Sequence, residues 1–589
     1  MQTDISRPEY PRPDFQRPVW LNLNGEWDFE FDDARTGLKE KWFTGQKPFS
    51  KKIRVPFAYQ SELSGIGDRA FHDAVWYCRR FILPEDFCGK RVFLHFGAVD
   101  YLADVWVNGQ HVTSHEGGHT PFHSEITHLL EAGENILVVK AEDFSTDITL
   151  PRGKQYWKEK SEVIWYTNTT GIWQTVWLEA VGDAYIETVR FTPHIDTCEV
   201  ELEAAFQNLD PGKKNQLKVE VFFDGSGICE DFYQVKAGSE TRRIRLHEFN
   251  EHHVAHLWTP ETPHLYDVKL TLLSGGESCD EVASYFGMRK VSIEKGKLCL
   301  NNRPYYLKLV LDQGYFPDGI LTPPSDEAIR RDIELTRAMG FNGVRKHQKV
   351  EDPRFLYWCD RLGLIVWGEM ANALDFSKEY IHKFTKEWMS VIDRDYSHPC
   401  IIAWVPLNES WGVPKILTEE VQQHHAMAMY HLTKSLDSTR PVVSNDGWEL
   451  VETDLCNIHD YEWRQDVLEE RYNSVENAVM KVYDSRKRNT YANGYAYKNE
   501  PILVSEFGGI AFKKSQWDGW GYSGASTEED FLERLRQVVD PLLKSPVVQG
   551  FCYTQLTDVE QEINGLLTYD RVPKAPVEKI CEIFEGKGE

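Results

Sequence analysis

Residues 401–412, IIAWVPLNESWG, run almost wholly apolar to Leu407 and then stop on Asn408 and Glu409; residues 501–509, PILVSEFGG, do the same and stop on Glu506 ahead of Phe507, Gly508 and Gly509. A short apolar run bounded by polar and turn residues reads as a strand buried on both faces, as in a parallel sheet covered by helices. Working outward from this pair, eight such runs follow Arg289: Tyr305 to Leu311, Gly343 to Arg345, Leu364 to Trp367, Ile401 to Val405, Val442 to Ser444, Leu455 to Ile458, Ile502 to Ser505 and Gly550 to Tyr553. Amphipathic stretches separate them. The first has Ser325 as N-cap, Asp326 and Glu327 in its opening turn, Ile329, Ile333 and Met339 near one face, and Gly340 as its stop. Eight strands alternating with helices imply a closed (β/α)8 TIM barrel over residues 290–589.

Upstream the texture is strands and turns alone. Residues 1–182 carry short β-rich runs such as RVFLHFGAVD and NILVVKAED, and in VWVNGQHV the Asn108-Gly109 pair marks a tight hairpin. An antiparallel sandwich is expected there. Residues 183–289, with LKVEVFF, TRRIRL and YDVKLTLL, have the length and strand spacing of an immunoglobulin-like β-sandwich, and WTPETPHLY reads as an extended loop entering its last hairpin.

In a TIM barrel the chemistry gathers where the strands end, so carboxylates there come first: Glu369, Glu409, Glu506, and Asp558, Glu560 and Glu562 after the last strand. Any one of them can be a cap or a solvated charge. Glu409 and Glu506 stand out because strands four and seven face each other across the mouth. Retaining glycoside hydrolysis needs one carboxyl to protonate the leaving oxygen and a second, about 5 to 5.5 Å away, to attack the anomeric carbon. Environment is expected to raise whichever of the two is the acid and keep the nucleophile charged. Asn408 is placed to bind a sugar hydroxyl. Lys346 can meet a sugar carboxylate or pair locally; His347 and Gln348 can touch the sugar or support what does. Tyr461 can bond the nucleophile, and Asp446 with Trp448 can line the site. Asp312, Trp411, His459 and Tyr553, at or just past the same strand ends, complete the candidate sugar-contacting set.

At this point the chain resembles glycoside hydrolase family 2, the β-galactosidase, β-glucuronidase and β-mannosidase family, in its compact three-domain form. The resemblance rests on LNGEWDF at Leu23 to Phe29, VWVNG, TGIWQTVWLE at Thr170 to Glu179, FGMRKV at Phe286 to Val291, NGVRKHQ, NES and SEFGG, in that order along nearly the whole chain. It implies a jelly-roll sugar-binding domain, an immunoglobulin-like domain and a catalytic barrel, with Glu409 matching the acid/base and Glu506 the nucleophile. It departs from the family where the sugar is chosen. Leu311-Asp312-Gln313 replaces an Arg-His pair, Lys346-His347-Gln348 shifts a histidine by one place, and Thr554 stands for a Trp. Glu562-Ile563-Asn564 lacks the Asn-x-Lys grip of glucuronidases, and Met370 to Asp375 lacks the magnesium ligands of large β-galactosidases. No metal or cofactor is expected. The resemblance implies a retaining exo-β-glycosidase, β-galactosidase-like before β-mannoside, β-glucoside, α-L-arabinoside or uronide. A barrel that binds carbohydrate without turning it over is the rival of a different class.

Composition narrows the partners. With 66 Lys and Arg against 92 Asp and Glu, the net charge of −26 repels polyanions, so nucleic acid is not expected. No signal-like run opens the chain and none is long enough to span a bilayer, so a cytoplasmic chain without a membrane partner is expected. The 11 cysteines lack paired spacing and read as reduced. Self-association is left open. No P-loop, G-x-S-x-G elbow or zinc helix motif appears.

Overall fold

The computed structural model describes residues 5–236, 238–246, 256–481, 488–514 and 518–587. Near the N-terminus a six-stranded sheet, with Gly25–Phe31, Ala74–Ile82 and Glu134–Glu142 at its centre, packs on a four-stranded sheet of Trp20–Asn22, Val176–Val181, Arg91–Phe96 and Phe122–Glu125. Inward-facing Trp27, Phe29, Tyr77, Leu94 and Leu178 fill the space between them. The hairpin expected at Asn108-Gly109 joins Leu102–Val107 to Gln110–Glu116, and both turn residues take positive φ, 50° and 77°, as a turn matched to strand twist requires. Next, three strands (Tyr185–His194, Glu199–Gln207, Ser239–Arg245) face four (Ser226–Gln234, Asn215–Phe223, Tyr266–Ser274, Glu277–Phe286). The loop from Trp258 feeds the Tyr266–Ser274 and Glu277–Phe286 hairpin.

The barrel sheet runs, in spatial order, Ile401–Val405, Ile365–Glu369, Gly343–Lys346, Leu307–Asp312, Val548–Thr554, Ile502–Gly508 and Cys456–Asp460, with every neighbouring pair parallel. The first helix spans Asp326–Ala338, and its N-cap Ser325 accepts a bond from the Ala328 N–H. A small antiparallel unit, Val291–Glu294, Lys297–Leu300 and Arg303–Pro304, contributes Val291, Leu298 and Leu300 to the barrel core.

One expectation needs correcting. Val442 to Ser444 is not a regular strand: it bridges Ile401–Val405 through Trp404 and Val442, but its other edge is met by one backbone bond, from the Asp454 N–H to the Val442 carbonyl at 3.0 Å, and otherwise by side chains. The Val442 N–H donates to Asp454 Oδ2, and the Thr453 hydroxyl donates to the Val442 carbonyl and accepts from the Ser444 N–H. Pro441, without an N–H, opens the segment. Asp446 and Asn408 form the next bridge, and on the other side the His459 N–H donates to the Gly447 carbonyl at 3.2 Å, so the barrel closes at the level of the site.

The abundant tryptophan serves the interior first: Trp27, Trp76, Trp173, Trp258, Trp367, Trp388 and Trp404 are fully buried. No helix among the described residues is long and apolar enough to cross a membrane.

Candidate active site

Glu409 leaves its strand in an unusual conformation. Its φ is +50° and that of Ser410 +61°, a region that costs most side chains free energy and is kept where the surroundings enforce it. Three bonds do so here: Glu409 N–H to the Asp446 carbonyl and Trp411 N–H to the Asn408 carbonyl, both 2.9 Å, and Ser410 N–H to Asn445 Oδ1, 2.9 Å. The turn aims the Glu409 carboxylate over the mouth. Across the mouth, Glu506 is followed by Gly508 and Gly509, at φ +85° and +61°. A Cβ on either would sit 2.4 Å from a ring atom, of Tyr553 and Tyr522 respectively, so the chain passes here only as glycine.

One oxygen of Glu409, one of Glu506 and a ring nitrogen of His459 lie within 4.8 Å of one another. Glu506 Oε1 accepts from Arg345 Nη1 at 3.0 Å, and Oε2 accepts from the Tyr461 hydroxyl at 2.6 Å. His459 Nδ1 is 2.8 Å from Glu409 Oε1, while its Nε2 stands 3.4 Å from Asp446 Oδ1 and 3.5 Å from Glu506 Oε1. Arg345, fully buried, also donates to Glu369 Oε2 at 2.7 Å and to Asn408 Oδ1 at 2.5 Å, and lies 3.0 Å from Asp446. Below the two facing acids there is thus a buried layer in which Arg345 and His459 face Glu369 and Asp446.

Burial works to discharge His459, yet the charge of Glu506 and the bonds to Asp446 and Glu409 outweigh it and push its pKa up to about 10. Burial likewise works to raise the Glu409 carboxyl, but the bond and charge of His459, with Lys154 and Arg345 behind, hold it below the ordinary value. Burial raises Glu506; the His459 charge opposes this and the Glu409 charge adds to it. The two acids do part, but in the reverse sense of the sequence expectation, because the proton of the trio rests on His459. His347, pushed well down by burial and by the Lys154 and Arg345 charges, is neutral. Burial raises Glu369 to about 7.

The candidate residues divide by strand alternation. Arg345 faces the axis, so Lys346 faces the helices, bound to Asp312 and Glu351 at 2.6 Å each, with the Phe355 ring 4.3 Å away. Lys346 and Asp312 therefore neutralise each other outside the mouth. Tyr553 also turns outward, 5.5 Å from Phe584, while its neighbour Thr554 faces in, 3.1 Å from the Tyr461 hydroxyl. Asp446 is wholly buried, accepting from Asn457 at 2.9 Å and from Ser505, so it supports the site from below. His347 joins Gln313 at 2.9 Å and Asn408 at 3.3 Å; Gln348 takes the Asn372 N–H at 2.8 Å. Brought together at the mouth are Asn408, His347, Trp411, His459 and Tyr461 with the two acids. Asp558, Glu560 and Glu562 serve elsewhere: Asp558 pairs with Lys574, and the other two bind Thr167 and Tyr166.

Those last contacts hold a segment of the N-terminal sandwich whose reach to the pocket the sequence leaves open. The segment from Phe144 to Thr170 of the N-terminal sandwich crosses to the barrel rim, where the Gly153 N–H meets the Asn372 carbonyl at 2.9 Å and the Trp520 indole meets the Val163 carbonyl at 2.9 Å. Trp165 stacks on Trp411 at 4.6 Å, and Lys154 lies 5.3 Å from the centre of the Trp411 ring. Tyr522, from the loop after Glu506, stacks on Tyr461 at 3.4 Å. Arg345 carries a signal in the sequence as a cation at the end of a short strand, beside Lys346; Lys154 and Trp165, in an irregular loop of another domain, had no periodic signal.

Comparison with known proteins agrees with this architecture. The family models for glycosyl hydrolases family 2 match in three pieces: the sugar binding domain at residues 21–179, a middle domain at 184–289 and the TIM barrel domain at 291–585. A beta-glucuronidase of Sus scrofa is 26% identical, over 94% of this chain and 88% of its own. A beta-galactosidase of Thermoanaerobacter pseudethanolicus is 29% identical over 72% of this chain and 54% of its own. The solved b-glucuronidase from Ruminococcus gnavus in complex with D-glucuronic acid superposes with a TM-score of 0.77 at 20% identity, covering 99% of this chain and 100% of that one.

Proposed function

The chain belongs to glycosyl hydrolase family 2, and from that premise we propose that it is a retaining, exo-acting β-glycosidase with Glu506 as nucleophile and Glu409 as general acid/base. One observation carries the reading: an oxygen of each acid lies within 4.8 Å of the other. That suits the spacing of about 5 to 5.5 Å of retaining enzymes and leaves no room for the water that inverting enzymes hold between carboxyls about 6.5 to 9.5 Å apart.

In the first step a Glu506 oxygen bonds to the anomeric carbon as the bond to the aglycone oxygen breaks. Glu409 gives that oxygen its proton. The proton comes from His459: passing it from Nδ1 along the 2.8 Å contact to Glu409 Oε1 makes Glu409 the acid and leaves the imidazole neutral. Arg345 and Tyr461 favour the carboxylate form of Glu506. In the second step Glu409 takes a proton from water, the water oxygen bonds to the anomeric carbon, and the ester to Glu506 breaks, so the β configuration is kept.

The sandwich segment that walls one side of the mouth favours attack on chain ends. For the glycone, the galactoside expected from the sequence gains no dedicated contact from Asp312, Lys346 or Tyr553, which turn outward. Hydrolysis of nitrophenyl β-glycosides tests the reading. Glu506→Gln should lose roughly 10^4- to 10^6-fold in kcat and Glu409→Gln about 10²- to 10⁴-fold, with β-sugar as the first anomer seen by NMR. Turnover surviving in Glu506→Gln, or α-sugar appearing first, sinks the assignment.

A further inference from the structure

Among the described residues, the central Arg345 is matched to carboxylates, and so are the buried lysines around the barrel top, with one exception. Lys346 has Asp312 and Glu351, Lys349 has Glu351, Lys574 has Asp558, and Arg345 has Glu369, Asp446 and Glu506. Lys154 is 6% exposed, and among the described residues no carboxylate lies within ion-pair distance of its ammonium. It is not displaced by accident. Gly153, at φ +60°, lies so close to the barrel that a Cβ there would come 2.1 Å from the Gln348 carbonyl, and the Tyr166 N–H holds the Lys154 carbonyl at 2.9 Å. The side chain therefore reaches the mouth, its ammonium 5.3 Å from the centre of the Trp411 ring, where its charge is felt by both Glu409 and His347. Gln348, whose carbonyl Gly153 packs against, has a buried Nε2 donor without an acceptor.

A cation on a nearly buried side chain without a counter-ion is poorly compensated, and an anion that arrives with the ligand supplies the missing partner. We propose that Lys154 is the specificity-determining counter-ion for a carboxylate carried by the bound saccharide, which makes acidic β-glycosides the substrates of this mouth. The proposal rests on the Glu409 and Glu506 reading for where the sugar lies. It differs from the grip sought in the sequence at Glu562-Ile563-Asn564, because Asn564 is spent on Glu562 and Gln555 and the cation comes from the sandwich instead.

The carboxylate can sit on the terminal sugar or on the residue it leaves, and two substrate arms separate these. Nitrophenyl β-D-glucuronide and β-D-galacturonide are compared with the β-D-glucoside and β-D-galactoside; disaccharides with a neutral terminal sugar linked to a uronic acid are compared with fully neutral ones. In one arm or the other the wild-type kcat/KM should favour the acidic member by about 100-fold or more, the scale of one charged hydrogen bond. Lys154→Met should collapse that ratio about 100-fold, mainly through KM, and Lys154→Arg should restore most of it. A wild-type preference for neutral substrates in both arms, or an unchanged ratio in Lys154→Met, overturns the proposal. Calorimetric binding of the acidic and neutral members of both arms to the Glu506→Gln protein reads the same preference without turnover and without altering Lys154. Equal binding there overturns it also, whereas activity persisting in Glu506→Gln would overturn the catalytic assignment alone.

Discussion

His459 stands among three carboxylates, and its charge sets where the mobile proton rests. With its pKa pushed up to about 10, the pair it forms with Glu409 should lose the catalytic proton only on the alkaline side. Replacing His459 by Asn leaves Glu409 to hold the proton by itself, so the alkaline limb of kcat/KM should move down by at least a unit. Aryl glycosides with strongly acidic leaving groups, which need little protonation, should be spared. An unmoved limb would mean that the proton does not pass through His459. The same raised pKa fixes a sign for stability: the His459 contribution is full below about pH 6.5, the ordinary histidine value, and fades as pH rises through about 10. Arg345 is the structural counterpart, since it touches Glu369, Asn408, Asp446 and Glu506 at once. Arg345→Met should cost about 3–5 kcal/mol in urea unfolding, because it strands buried carboxylates rather than removing a balanced pair.

At the scale of strands and loops, alternation explains what the sequence could and could not disclose. Glu409 and Glu506 were legible because each interrupts an apolar run at a strand end. The order of residues around them was legible too, but the direction each side chain takes was not: Arg345 and Lys346, or Tyr553 and Thr554, are neighbours that face opposite layers. The run Val442 to Ser444 has strand composition, yet Asp454 and Thr453 complete its hydrogen bonding, which no periodicity reveals. The segment from Phe144 to Thr170 carries no regular pattern, so only tertiary packing places it. Its contact with the mouth is testable at Trp165: Trp165→Ala removes the stack on Trp411 and should raise KM about 5- to 10-fold with kcat little changed, the scale of one aromatic pair. A fall in kcat with KM constant would assign the segment to the chemical step.

Across the whole molecule, the residues before the first strand strap the three units together. Arg7 donates to Asp352 of the barrel at 3.0 Å; Tyr10, Arg12 and Arg17 converge on Glu179 of the sandwich at 2.6, 2.7 and 2.8 Å; and Arg17 continues to Asp280 of the middle domain at 3.1 Å. Burial works to neutralise Glu179, but Arg12, His95 and Arg17 hold its carboxyl well below the ordinary value. Its stabilisation is therefore complete above about pH 4.5, the ordinary glutamate value, and lost only as pH falls through the much lower folded value. Glu179→Ala leaves two guanidinium groups facing each other without their anion and should cost about 3–5 kcal/mol, with a shallower loss of stability on acidification than the wild type. Because the sandwich delivers Lys154 and Trp165 to a mouth whose acids belong to the barrel, loosening that junction should raise KM before it lowers kcat. Urea unfolding followed separately by enzyme activity and by far-ultraviolet circular dichroism reads this coupling: in Glu179→Ala activity should be lost ahead of secondary structure, and coincident curves with an unchanged KM would mean that the strap holds the domains without governing the site.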